Sequence, residues 1–223
     1  MFNPIREKVV SKVWFITGAG RGIGAAIARS VLEAGHRVVV TGRRMRDLEA
    51  SFGVHGERVL CLPLDVSQES QSADAVARAI DRFGHIDVLV NNAGYGLLGA
   101  VEEASADEVR RLYETNVFGL LKVTRAVLPS MRKRRQGHVL NISSLGGYRS
   151  SAGFGVYCST KFAVEGLTEA LHAELAPLGI HATVIEPGYF RTDFLDASSL
   201  VTSPRIVDDY AATAGRVREL ASS

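Results

Sequence analysis

Short apolar, β-branched runs recur along the chain near 13–17, 37–41, 59–64, 87–91, 138–142 and 181–185. They are continuous rather than alternating, the pattern of strands buried on both faces. Between them lie segments with helical spacing of apolar positions, at 22–34, 44–51, 69–83, 105–131 and 155–178. This alternation predicts an α/β fold: a doubly wound parallel sheet with helices on both faces, joined by right-handed crossovers. No internal repeat, low-complexity tract or linker interrupts it, so residues 1–223 are expected to form one domain. In such sheets ligands bind beyond the carboxyl ends of the strands. Gly18, Asn91, Ser144 and Pro187 all fall at those ends.

Two stretches carry chemistry. The first is Thr17-Gly18-Ala19-Gly20-Arg21-Gly22-Ile23-Gly24, which follows the apolar run Val13–Ile16 and opens the helical stretch ended by Gly35. Strand, glycine-rich turn and helix in that order make a phosphate cradle: glycines let the backbone approach a pyrophosphate, and the helix N-terminus offers free N–H groups. The second is Tyr157-Cys158-Ser159-Thr160-Lys161, with Ser144 thirteen residues upstream. Tyrosine and lysine four apart share a helix face, about 5–6 Å between Cβ atoms. A cation beside a phenol favours the phenolate, which would bring a group titrating near ~10 toward use as a proton donor or acceptor near neutrality. A serine hydroxyl from a separate strand end would hold the substrate oxygen.

These blocks and four others resemble the short-chain dehydrogenase/reductase family in its compact form, over about Lys12 to Leu200. Asn91-Asn92-Ala93-Gly94 looks like the family's sheet-stabilising motif beside the cofactor. Asn116 matches its helix asparagine, which holds a water in the proton relay. Asn141-Ile142-Ser143-Ser144 matches the strand carrying the catalytic serine, with Ser144 at the usual spacing. Pro187-Gly188, with Thr192 five residues after the proline, is similar to the segment that grips the nicotinamide carboxamide. The resemblance implies a Rossmann-like fold, hydride transfer between nicotinamide and a carbonyl or alcohol, and the catalytic set Asn116, Ser144, Tyr157 and Lys161. It also implies that Gly18, Arg21, Gly22, Ile23, Gly24, Asn91, Ala93, Gly94, Tyr157, Lys161, Pro187, Gly188 and Thr192 contact the cofactor. Asp65-Val66 resembles the pair that touches the adenine.

The end of the second strand bears on which cofactor. NAD-using members carry an acidic residue there; this chain has Gly42, followed by Arg43 and Arg44. Guanidinium where a 2′-phosphate would lie favours NADP(H) over NAD(H), and Arg21 adds a further basic residue. Tyr95, Leu97, Leu98, Tyr148, Phe154, Tyr189, Phe190, Phe194 and Leu195 are the candidate substrate-pocket residues. Their apolar character suggests an apolar or aromatic carbonyl compound. The stretch Glu186–Thr192 looks like that of bacterial members related to the 17β-hydroxysteroid dehydrogenases, which does not make the substrate a steroid. Two other readings stand beside the enzyme: a non-catalytic NADPH-binding regulator on the same fold, and a member of the family's longer epimerase branch. The intact Asn116, Ser144, Tyr157 and Lys161 weigh against the first. Against the second stand the glycine spacing, which differs from that branch's, and the lack of a sizeable C-terminal substrate domain.

Composition adds limits. A net charge of +2 gives no reason to expect nucleic acid as a partner. Arg132-Lys133-Arg134-Arg135 sits at a predicted helix C-terminus, where cations are favoured, and reads as a solvated face. Cys61 and Cys158 form no C-x-x-C pair and suit a reducing compartment; Cys61 reads as a small buried hydrophobe and Cys158 is assigned no chemistry. The six histidines show no paired spacing, so no catalytic metal is expected. Segment 1–8 is too polar for a signal peptide, and no apolar stretch approaches the ~18 residues of a membrane span. The chain is therefore expected to be soluble and cytoplasmic, with no membrane partner. The family's usual last strand has no counterpart run after Ile185, so an exposed sheet edge, or a chain that is part of a longer protein, is expected. Because the family's homodimers and homotetramers commonly use that strand, assembly is left open.

Overall fold

The computed structural model describes residues 11–188 and 199–222. Six parallel strands form the main sheet: β1 (Val13–Ile16), β2 (Arg37–Gly42), β3 (Val59–Pro63), β4 (Val88–Asn91), β6 (Gly137–Ile142) and β7 (Ile180–Ile185). Their order is β3-β2-β1-β4-β6-β7. The order reverses between β1 and β4, and this is the point at which doubly wound sheets open a crevice. The expected Rossmann-like α/β sheet is therefore present.

Each strand sends alternate residues to opposite faces. Phe15, Val39, Leu62, Leu89 and Val139 form one core with the apolar sides of α3 (Glu69–Phe83) and α5 (Leu120–Arg134), and with Leu175 of α6 (Gly155–Leu175). Ile16, Val38, Val40, Val88 and Val90 form the other with α1 (Gly22–Glu33) and α2 (Met45–Phe52). Each fully buried valine, leucine or phenylalanine contributes about 1.5–3 kcal/mol, so both faces must be covered for the sheet to hold. The second face is open over β7, where His181 and Thr183 are exposed.

Two expectations change. The helix expected over 105–131 is interrupted: α4 (Ala106–Tyr113), started by a Ser105/Glu108 capping box, gives way to a π turn at Glu114–Gly119 before α5. Gly119 packs so closely on Val66 that a Cβ there would sit 2.6 Å from Cγ2, and a local π turn accommodates such an approach. The expected exposed edge is present: among the described residues no strand after Ile185 joins the main sheet, which ends at β7. β8 (Leu200–Thr202) pairs in parallel with β5 (Gly96–Leu98), a strand the hydrophobic pattern did not reveal because three residues are too few for a period. The basic cluster is only partly solvated: Arg134 donates to Asp87 Oδ1 at 2.6 Å and to the Ile86 carbonyl at 3.2 Å. Arg135 ends α5 in the left-handed conformation (φ 51°) and donates to the Pro177 carbonyl.

Toward the C-terminus the chain forms a 3₁₀ turn at Asp208–Tyr210, a π turn at Ala211–Gly215 and α7 (Arg216–Ser222). It is anchored by Glu103, whose side chain is fully buried. Glu103 accepts from the N–H groups of Ala100 (2.7 Å) and Val207 (3.0 Å) and from both terminal nitrogens of Arg218 (2.5 and 3.1 Å). A buried carboxylate with four such donors is stabilising where an unpaired one would be costly.

Candidate active site

A cleft of about 1260 Å³ runs along the carboxyl ends of β1, β2, β4, β6 and β7. The turn after β1 forms its middle. Gly18 has φ +64° and lies so near Ala93 that a Cβ would meet the Ala93 Cα at 2.9 Å. A Cβ on Gly24 would sit 2.4 Å from Asn92 Nδ2 and 2.6 Å from the Gly18 carbonyl, so this glycine lets α1 press against the turn. Asn92 Nδ2 donates to the carbonyls of Thr17 (2.9 Å) and Gly18 (3.0 Å). Thr17 Oγ1 accepts from the N–H groups of Asn92 and Ala93, both at 3.0 Å. The turn's shape is thus imposed from β4, across the switch point.

One end of the cleft is basic. Arg21, Arg43 and Arg44 line it together with Asp47, Asp65 and Val66. Arg44 is engaged, its Nε 2.7 Å from Asp47 Oδ2, whereas Arg43 makes no ion pair among the described residues. Asp65 is held by its own turn, accepting from the Ser67 N–H (3.0 Å) and hydroxyl (2.7 Å). These features fit a dinucleotide: close-approach glycines at the pyrophosphate position, and a guanidinium without a carboxylate partner at the ribose end.

The other end brings Ser144, Tyr157 and Lys161 together. Ser144 follows β6, accepts from the Gly146 N–H at 3.1 Å and hydrogen-bonds Tyr157. Lys161 Nζ donates to the Ile142 carbonyl at 2.8 Å and lies 5.8 Å from the Tyr157 ring centroid. Burial pushes the Tyr157 phenol up to about 12, opposed by the Ser144 hydrogen bond. Burial pushes the Lys161 ammonium down to about 8, opposed by the charge of Glu165. The expected lowering of the phenol by the lysine is therefore not met: in this dry site desolvation dominates both groups.

Other expected positions divide. Gly18, Arg21, Gly22, Ile23, Arg43, Asp65, Val66, Ala93, Gly94, Pro187 and Gly188 line the cleft; Thr192 lies outside the described residues. Gly24 supports the turn without lining the cleft. Asn91 is behind the wall: its Nδ2 donates to Thr124 Oγ1 (2.8 Å) and Asn141 Oδ1 (2.9 Å), tying β4 to α5 and β6. Asn116 lies in the π turn, accepting from the Tyr95 N–H (3.1 Å) and donating to the Tyr95 carbonyl (2.9 Å) and Thr160 Oγ1 (3.2 Å). Its neighbour Thr115 lines the cleft instead.

Of the substrate-pocket candidates, Tyr95, Tyr148 and Phe154 line the cleft. Leu97 and Leu98 are buried in β5 and do not, while Tyr189, Phe190, Phe194 and Leu195 lie outside the described residues. Leu145, Arg149, Ser150, Ser151 and Cys158 line the same end unanticipated. Loop residues carry no periodicity that could announce them. Cys158 lies next to a tyrosine already placed in the site, and that adjacency was the one available signal.

A sheet whose switch point carries a phosphate cradle, with a serine, tyrosine and lysine converging nearby, defines a nucleotide-dependent α/β oxidoreductase. The model of the short chain dehydrogenase family matches residues 12–200. The chain belongs to that family. It is similar to a short-chain dehydrogenase from Streptomyces avermitilis, with TM-score 0.89, 42% identity and cover of 96% of this chain and 78% of that one. The 3-ketodihydrosphingosine reductase of Bacteroides thetaiotaomicron is 39% identical over 200 residues, 90% of this chain and 72% of the reductase. A serine dehydrogenase solved in its closed form with NADP+ superposes with TM-score 0.80 at 35% identity, covering 83% of this chain and 75% of that one.

Proposed function

We propose that this oxidoreductase uses NADP(H) to interconvert a carbonyl and an alcohol on an apolar substrate, the whole chain acting as one domain. The observation that carries the reading is a single cleft with Ser144, Tyr157 and Lys161 at one end and Arg43 at the other. NADP(H), when bound, supplies or accepts the hydride. Gly18, Gly22 and the α1 N-terminus would hold its pyrophosphate, Arg43 its 2′-phosphate, Asp65 and Val66 its adenine, and Pro187, Gly188 and Thr192 its carboxamide end.

Tyr157 exchanges the proton on the substrate oxygen, and Ser144 holds that oxygen by a second hydrogen bond. Lys161, fixed by the Ile142 carbonyl, reaches under Gly94 toward the nicotinamide ribose. The phenol stands at about 12 in the dry site. Positive charge from Lys161 and oxidised nicotinamide together is what would lower it toward working pH. Asn116 would hold the relay water through the second lone pair of its Oδ1, the first being taken by the Tyr95 N–H. Tyr95, Tyr148, Phe154 and Leu145 give the substrate end an apolar wall.

No helix among the described residues is long and apolar enough to cross a membrane. A small-molecule substrate, a cytoplasmic setting suited to two unpaired cysteines, and a homodimer or homotetramer belong to the same reading. Fluorescence titration with NADPH and, separately, NADH tests it. Saturable NADPH binding at least about ten-fold tighter than NADH is the expected result, the size one charge-assisted phosphate contact confers. Binding of neither nucleotide would overturn the proposal.

A further inference from the structure

Glu165 lies on α6 four residues after Lys161, which itself lies four after Tyr157, so the three share one helix face. Its Oε1 is buried without a hydrogen-bond partner among the described residues, and so is the Oγ of Ser143. Both press against Gly147, where a Cβ would stand 2.5 Å from Ser143 Oγ and 2.6 Å from Glu165 Oε1. Two orphan oxygens packed on a glycine are costly, and a buried carboxylate oxygen persists only when a cation compensates it. The cation one helical turn away is Lys161, whose Nζ is tied to Ile142, the residue before Ser143.

We propose that Glu165 is a positioning residue for proton exchange at Tyr157: through α6 its carboxylate steadies the Lys161 ammonium against the desolvation of the site, and Gly147 makes room for it. The inference rests on the roles proposed above for Tyr157 and Lys161. Lys161 faces Tyr157 and Glu165 along α6, the Ile142 carbonyl on β6, Gly94 after β4 and Asn116 beside it in the π turn. Of these only Tyr157 and Glu165 titrate. Burial alone drives the ammonium toward its neutral form, and Glu165 acts in the opposite sense.

The chain has five lysines, so a protein carrying lysine carbon-labelled at Cε gives a sparse NMR spectrum in which loss of a signal in Lys161→Arg assigns Lys161. Its titration is then followed in wild type, Glu165→Gln, Glu165→Asp and, as a surface control one turn on, Glu169→Gln. Glu165→Gln is expected to lower the Lys161 midpoint by about one pH unit, and Glu165→Asp to restore most of it. Glu169→Gln should leave it in place. An unchanged midpoint in Glu165→Gln, or an equal fall in Glu169→Gln, would overturn the inference. Should Glu165→Gln not fold, Glu165→Met, uncharged and of similar volume, takes its place, and an unchanged Lys161 midpoint there overturns the inference. This readout needs no turnover. Full activity in Tyr157→Phe would defeat the reading of the site, whereas a flat Lys161 titration beside an inactive Tyr157→Phe defeats only the role of Glu165.

Discussion

Lys161 donates to the main-chain carbonyl of Ile142 at 2.8 Å, so the ammonium is moored to the strand end that delivers Ser144. The helix and the strand therefore meet at one point, and the hydroxyl, phenol and ammonium are positioned relative to one another by backbone rather than by side-chain chance. A moored lysine cannot swing to solvent when desolvation penalises its charge.

Tyr157→Phe removes the phenolic proton proposed to move to the substrate oxygen and leaves the ring packing against Phe154 intact. Turnover with a carbonyl substrate should fall by about 10²–10⁴-fold, the usual worth of a positioned acid. NADPH affinity should barely change, so the nucleotide titration and the rate assay are to be run on the same preparation.

Arg43→Ala should weaken NADPH by about ten- to hundred-fold and leave NADH within a factor of two or so. Equal losses for both nucleotides would show that Arg43 acts on something other than the 2′-phosphate. Arg44→Ala makes a useful contrast, because Asp47 already engages that side chain.

Gly24→Ala would place a methyl against the Gly18 carbonyl and the Asn92 amide at distances no Cβ tolerates. Overpacking of this kind destabilises by about 1–3 kcal/mol. Chemical denaturation should register the loss, and NADPH affinity should fall with it, since the turn itself must shift.

Glu103 supplies a pH dependence. Hydrogen bonds from Arg218, with the Val207 and Ala100 N–H groups, hold its carboxyl down at about 2 against the cost of burial. An unfolded glutamate titrates near about 4.3. With the folded value lower, the stabilisation is complete above the unfolded value and is lost as pH falls from there through about 2. Melting temperature should therefore drop steeply over that window in wild type. Glu103→Gln should melt lower at neutral pH and show a shallower acid slope; parallel slopes for the two proteins would contradict the assignment.

The strands of the main sheet, the glycine turn and the spacing from Ser144 to Lys161 were legible in the chain itself. Each is a local matter: β-branched runs, a conformation with positive φ at Gly18, and a four-residue helical repeat are written in neighbouring residues. The order of the strands, the pairing of Leu200–Thr202 with Gly96–Leu98, and the withdrawal of Asn91 behind the cleft wall were not. Those depend on contacts between segments 50–115 residues apart, as when Asn91 reaches Asn141 or Glu103 reaches Arg218. The sequence by itself determined the type of each long element and named the groups proposed to react. Only the tertiary structure decided how dry those groups are, and it reversed the expected fall in the Tyr157 phenol. Desolvation is a property of everything packed around an atom, and no local pattern records it.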